Sequence, residues 1–207
     1  MIKFEKLDFD SNKVFFSSDF HYSHKNISQE SVWDRDNNDK AIRPWNVKEM
    51  NDYIINEINS KVPYDGLLIH LGDWSFGGID KAVELRSNIV CENIIGCYGN
   101  HDHNILNRPD LQSMFTMIDH ILYLKIEHQD IVCCHYPIMS WPSMGKTRSW
   151  MLHGHCHGSL QDNPNSKILD VGFDTCLYGH QQYTLYSFKE LQQIMEQKAF
   201  KPVDHHN

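Results

Sequence analysis

Positive charge, long apolar runs and paired cysteines are all scarce in this sequence. Lys and Arg number 19 against 27 Asp and Glu, a net charge of -8 with His neutral. Such a chain presents no broad field for long nucleic acid or an anionic membrane. A small anionic ligand would need a local source of positive charge, and bound cations are one. No run approaches the roughly 20 apolar residues of a membrane span. The opening MIKFEKLDFDSNK has no stretch of signal-peptide length, so a cytosolic (cytoplasmic) protein with reduced thiols is expected. None of the six cysteines (Cys91, Cys97, Cys133, Cys134, Cys156, Cys176) is set in a CxxC pair, which argues against a zinc knuckle. Repeats and low-complexity linkers are absent too. What remains is 207 residues, 41% hydrophobic and 22% charged, the balance of one soluble globular domain spanning 1–207.

The apolar runs that do occur are short, and each ends in polar residues. VFFSSDFH (14–21), GLLIHLGDW (66–74), NIIGCYGNHD (93–102), IVCCHYP (131–137) and MLHGHCH (151–157) share this design, with KILDVGFD (167–174) a weaker sixth. They suit interior strands covered on both faces. Val47, Met50, Ile54, Ile58 and Val62 recur at helical spacing, which predicts a helix over 47–61, capped by Asn46 and stopped by Pro63. Further helices are expected at 79–87, 104–114 and 188–198. A hairpin is expected from 122–127 through a loop at His128–Asp130. Strands alternating with helices, then hairpins, indicate an α/β sandwich with mixed sheets. Residues 31–46 and 137–150 read as long loops over the strand ends, where sites usually sit.

Histidine is abundant, at 14 residues. Five strands end in metal-ligand types: Asp19 and His21; Asp73; Asn100, His101 and Asp102; His135; His155 and His157. Strand ends on one edge of a sheet converge in space. Imidazole and carboxylate without thiolate favour manganese, iron, zinc or nickel. A pair of ions about 4 Å apart needs a bridging oxygen ligand, and the Asp73 carboxylate suits that place. Gly72, Gly99 and Gly154 each precede a ligand block and permit close backbone approach.

The blocks DFH (19–21), GDW (72–74), GNHD (99–102), His135 and GHCH (154–157), in this order, resemble the calcineurin-like metallophosphoesterase family. The resemblance implies a four-layer α-β-β-α sandwich, two mixed sheets flanked by helices. It also implies two divalent ions, with Mn2+ the first choice and Fe, Zn or Ni as alternatives. Asp19, His21 and His157 would hold one ion and Asn100, His135 and His155 the other, with Asp73 bridging. His101 would contact the phosphate and protonate the leaving oxygen as general acid, with Asp102 orienting it. A metal-bridging hydroxide would attack phosphorus in a phosphodiester or phosphomonoester of a nucleotide or other small metabolite.

Four residues are expected to contact that small phosphorylated substrate: His24, Arg43, Lys146 and Arg148. Trp33 and Trp45 are weaker candidates of the same kind. His70 and His120 read as core histidines, and His153, Asp170 and Asp174 as structural. Two competing functions are a non-catalytic metal-binding scaffold and a nuclease acting on short oligonucleotides.

Overall fold

The computed structural model describes residues 2–32, 43–145, 149–175 and 183–201. Its first sheet sets β2 (Val14–Ser17), β3 (Leu67–His70), β4 (Asn93–Cys97) and β5 (Met117–Asp119) parallel to one another, with β10 (Tyr186–Ser187) antiparallel beside β2. The second sheet runs β1 (Glu5–Lys6), β6 (Ile121–Ile126), β7 (Gln129–Cys134), β8 (Trp150–His153) and β9 (Ile168–Asp170). Only β6 and β7 pair antiparallel there. Both sheets are therefore mixed, and the chain is an α/β sandwich as the alternation of elements predicts.

The apolar runs bury because they fill both faces of these strands. Phe16, Leu67, Ile69 and Leu71 meet Leu124, Ile131, Cys133 and Leu152 between the sheets. Phe188, Leu191 and Met195 of α5 (Phe188–Gln197) join that central cluster. On the outer face of the first sheet, Met50, Ile54 and Ile58 of α1 (Val47–Lys61) and Ala82 and Leu85 of α2 (Ile79–Asn88) pack with Leu68 and Ile94. Over the second sheet, Trp141 and Met144 cover Val132, Cys134 and Met151. Among the described residues that outer layer is a loop, pinned where the Trp141 indole N–H donates to the Ser149 carbonyl at 3.0 Å.

Local signals fix the element ends. Asn46 caps α1 through its side chain, and Glu49 reaches back to the Asn46 N–H, a reciprocal capping box. The helix expected over 104–114 is two short ones, α3 (His103–Leu106) and α4 (Pro109–Gln112). Arg108 is extended because a residue before proline avoids the helical region. The hairpin turns on Glu127 and His128, one residue earlier than expected, with Glu127 at φ 53°. The strands at the site end sooner than the apolar runs suggest: β2 stops at Ser17 and β3 at His70. The ligand types after them lie on turns. No described helix is long and apolar enough to cross a membrane.

Candidate metal centre

Parallel strands deliver their C-terminal ends to one edge. From the first sheet come Asp19 and His21 after β2, Asp73 after β3, and Asn100, His101 and Asp102 after β4. From the second come His135 after β7 and His155 and His157 after β8. A bridge between Ser18 and Gly172 joins the two sheets at this edge.

The turns carrying these side chains are conformationally costly. Asp19, His21, Asp73, His155 and His157 all have positive φ, between 46° and 69°. Each such residue costs about 1–3 kcal/mol and persists only where its surroundings over-determine it. Hydrogen bonds supply that constraint. The N–H groups of Asp19 and His21 donate to the carbonyls of Gly72 and Asp73, at 2.9 and 3.0 Å. The His155 N–H donates to the Asp19 carboxylate at 2.9 Å, and the His101 N–H to Asp73 Oδ1 at 2.8 Å.

Space at these turns depends on the three glycines singled out in the sequence. A Cβ on Gly99 would lie 2.2 Å from Asp73 Oδ1, and one on Gly154 would lie 2.0 Å from Ser18 Oγ and 2.3 Å from Asp19 Oδ2. Gly72 adopts φ +99°, and a side chain there would also meet His135 Nδ1 at 2.7 Å.

Electron-pair donors face one another across the edge. The His135 Nδ1–H is used on the Leu71 carbonyl at 2.9 Å, which leaves the Nε2 lone pair turned toward Asn100 Oδ1 at 3.0 Å. His155 Nδ1 lies 3.0 Å from that same oxygen. Asp73 Oδ2 is 3.5 Å from His21 Nε2 and 3.5 Å from His135 Nε2. His21 Nε2 is 3.2 Å from His157 Nε2, which is 3.7 Å from Asp19 Oδ1. The donor atoms of Asp19, His21 and His157 lie within 4.8 Å of one another, as do those of Asp19, Asp73 and His135. Both groups could hold a metal ion. Asp19, Asp73, His21 and His135 are buried, and His21 Nδ1 has no hydrogen-bond partner among the described residues. Buried, mutually facing donors of this kind fit a cation better than they fit one another.

The protein's own field reflects the crowding. Burial, helped by the charge of Asp73, pushes the Asp19 carboxyl up to about 8, although His157 pulls it down. Burial opposes charge on His157, yet its hydrogen bond to Asp174 and the charge of Asp19 raise it to about 9. Burial drives His21 well below the usual histidine range, and neighbouring His157 adds to this. A proton on His157 thus stands where a cation would stand, between His157 and the His21 lone pair.

Behind these side chains, Asp174 accepts from His157 Nδ1 at 2.7 Å and from Arg43 Nε at 2.9 Å. Arg43 is fully buried, and it also donates to the Phe20 and Asp19 carbonyls, each at 2.6 Å. Its guanidinium lies 5.2 Å from the centroid of the Phe173 ring. The expectation that Arg43 contacts substrate is corrected: all of its charge is spent beneath the site. Against the burial that raises a carboxyl, Arg43 and His157 hold Asp174 at about 2.

Asp102 is corrected as well. Its carboxylate accepts from the N–H groups of Asp73 (2.7 Å), Gly99 (2.8 Å) and Trp74 (2.9 Å), so it braces two ligand turns instead of orienting His101. Burial still lifts it to about 6.

His101 is half-buried, its ring 5.4 Å from that of His21. His24 is buried 5.4 Å from the His21 ring, with Nδ1 accepting from the Asn26 N–H, and burial lowers it to about 4. Trp45 stacks on Tyr53, 4.4 Å between centroids, as a packing residue. His70 is buried against Phe20, whereas His120 is exposed beside Tyr98 and is no core residue. Trp33, Lys146 and Arg148 lie outside the described residues.

Two exposed aromatics at this edge escaped the sequence reading. Phe76 lies 3.9 Å from the His24 ring and 5.4 Å from that of His101; Tyr136 lies 4.7 Å from the His155 ring. They are 40% and 46% exposed, which leaves ring area open beside the donors. Their one signal is position, Phe76 three residues after Asp73 and Tyr136 directly after His135. Asp174 had a clearer one: it ends the sixth apolar run as the ligands end the other five.

No family model matches the chain, and no curated protein does either. Among the solved structures that resemble it are two of unlike description. One is a protein of unknown function, AQ665, from Aquifex aeolicus, 19% identical with a TM-score of 0.60, covering 87% of this chain and 98% of that one. The other is the Pseudomonas putida nuclease MPE, 15% identical with a TM-score of 0.43, covering 71% of this chain and 62% of that one. The first likeness establishes a shared α/β fold along nearly the whole of the Aquifex protein.

Proposed function

We propose that the chain is a dinuclear metal-dependent phosphoesterase of the calcineurin-like kind. Asp19, His21 and His157 hold one divalent ion, manganese by preference. Asn100, His135 and His155 hold the other, and Asp73 is shared. The observation that carries this reading is the position of Asp73 Oδ2, 3.5 Å from one histidine of each group. When bound, such ions supply Lewis acidity toward a phosphoryl oxygen and make water acidic enough to attack near neutral pH.

The chain's own residues do the rest. Asp73 ties the His101 backbone to the shared ligand, which sets the imidazole at the lip of the site. From there His101 protonates the leaving oxygen. Asp102 keeps the Asp73 and Gly99 turns in register, and Asp174 turns His157 Nε2 toward the metal. Phe76 and Tyr136 offer open ring faces to a planar organic group, which supports a nucleotide or similar ester as substrate. The net charge of -8 supports a small substrate over long nucleic acid.

The test is hydrolysis of bis-p-nitrophenyl phosphate and p-nitrophenyl phosphate by manganese-loaded protein. Exhaustive chelation should abolish turnover, and Asp73→Asn should remove nearly all of it. Turnover that survives chelation would refute the reading.

A further inference from the structure

We propose that His153, Cys156 and Asp170 form an additional metal site, built for one thiophilic divalent cation of the zinc type. A ring nitrogen of His153, the Cys156 sulfur and an Asp170 carboxylate oxygen lie within 4.8 Å of one another. None of the three belongs to the phosphoesterase ligand set. His153 and Cys156 alternate with His155 and His157 along the same turn, and Asp170 ends β9, which pairs with β8 at His153.

Each group is prepared for a cation. The His153 Nδ1–H is used on the Gly154 carbonyl at 2.8 Å, which fixes the ring and leaves the Nε2 lone pair for a metal. His135 is held by a backbone carbonyl in the same manner. Asp170 Oδ1 accepts from the Gly172 N–H at 2.8 Å, while among the described residues Oδ2 has only a long contact of 3.4 Å, from the Gly158 N–H. That second oxygen keeps a lone pair for a cation. His153 is buried, whereas Cys156 and Asp170 are half-buried, so the site has an inner wall and a path to solvent. A bound cation would expel the thiol proton.

Sulfur separates this site from its neighbour. Nitrogen, oxygen and thiolate together select zinc-like ions, and three protein ligands leave a fourth position for water. The phosphoesterase centre offers nitrogen and oxygen alone. A cation here would tie the turn at 154–158 to the end of β9 and stiffen the segment that presents His155 and His157.

Cobalt(II) is the probe, because only thiolate ligation gives a near-ultraviolet sulfur-to-cobalt charge-transfer band. The full chain loaded with cobalt should show that band. Excess zinc should bleach it, and Cys156→Ser should abolish it while the metal-free variant melts as the metal-free wild type does. Asp170→Asn keeps the thiol and should need more cobalt to reach the same absorbance. No band in the wild type, or a band retained in Cys156→Ser, would overturn the proposal. Turnover of bis-p-nitrophenyl phosphate by the same samples reports the other centre. Active protein without the band refutes this site alone; the band without turnover refutes the phosphoesterase reading alone.

Discussion

Replacing Asp174 with Asn separates two functions of one buried carboxylate. Asp174 receives the His157 Nδ1–H at 2.7 Å and two contacts from Arg43, at 2.9 and 3.1 Å. Loss of a carboxylate behind a metal-binding histidine costs about 10–100-fold in metal affinity. Loss of the partner of a fully buried guanidinium costs about 3–5 kcal/mol of stability. For a chain of this size that lowers the melting temperature by about 6–20 °C. Thermal melts of the metal-free protein and manganese titrations read the two effects independently. The double variant Asp174→Asn/Arg43→Met removes the orphaned charge, so it should recover most of the stability and none of the metal affinity. Folded Asp174→Asn protein that binds manganese as tightly as the wild type would refute the reasoning.

Other expectations follow from the same contacts. In the metal-free protein Asp19 sits near 8 and His157 near 9, both above their unfolded values of about 3.9 and 6.5. Above about pH 6.5, where the depressed His21 and His24 are neutral in both states, these two groups make the folded state bind more protons than the unfolded one, so their contribution to stability falls as pH rises toward 9. Manganese replaces those protons, so the melting-temperature gain it confers should grow from pH 6 to 8.5; a gain that shrinks would contradict the assignment. Gly154→Ala drives a methyl to 2.0 Å from Ser18 Oγ and 2.3 Å from Asp19 Oδ2. A ligand displaced by about 1 Å should lower kcat about 100-fold, with about 1–3 kcal/mol lost in denaturant unfolding. His101→Ala should lower kcat by about 10²–10⁴-fold at unchanged metal content, measured by elemental analysis alongside turnover. Phe76→Ala should raise KM for a nucleoside ester, by the loss of about 1–3 kcal/mol of stacking, and leave KM for methyl phosphate alone.

What the sequence made legible is tied to burial. Parallel strands covered on both faces read as unbroken apolar runs, so their ends, and the metal-ligand types on them, could be placed by inspection. Asn46 with Glu49, and Pro63, mark α1 because capping chemistry is local. The left-handed turns at Asp19, His21, Asp73, His155 and His157 have no such mark, and the apolar runs therefore overshoot the strands. Arg43 and Asp102 were misread for a different reason. An arginine in a polar loop looks like an anion contact until Asp174, 131 residues away, is seen to hold it. A carboxylate following the expected acid His101 looks like its orienting partner until three backbone N–H groups are found to hold it. His120 followed the same pattern: nothing in its neighbours distinguishes an exposed strand end from a core position.

The central claim is that two ions share Asp73. Anomalous diffraction from manganese-loaded crystals tests it most directly. The account predicts two peaks about 3.5–4 Å apart, one bounded by Asp19, His21 and His157, the other by Asn100, His135 and His155, with the Asp73 carboxylate touching both. A single peak, or two peaks with Asp73 on only one, would contradict it.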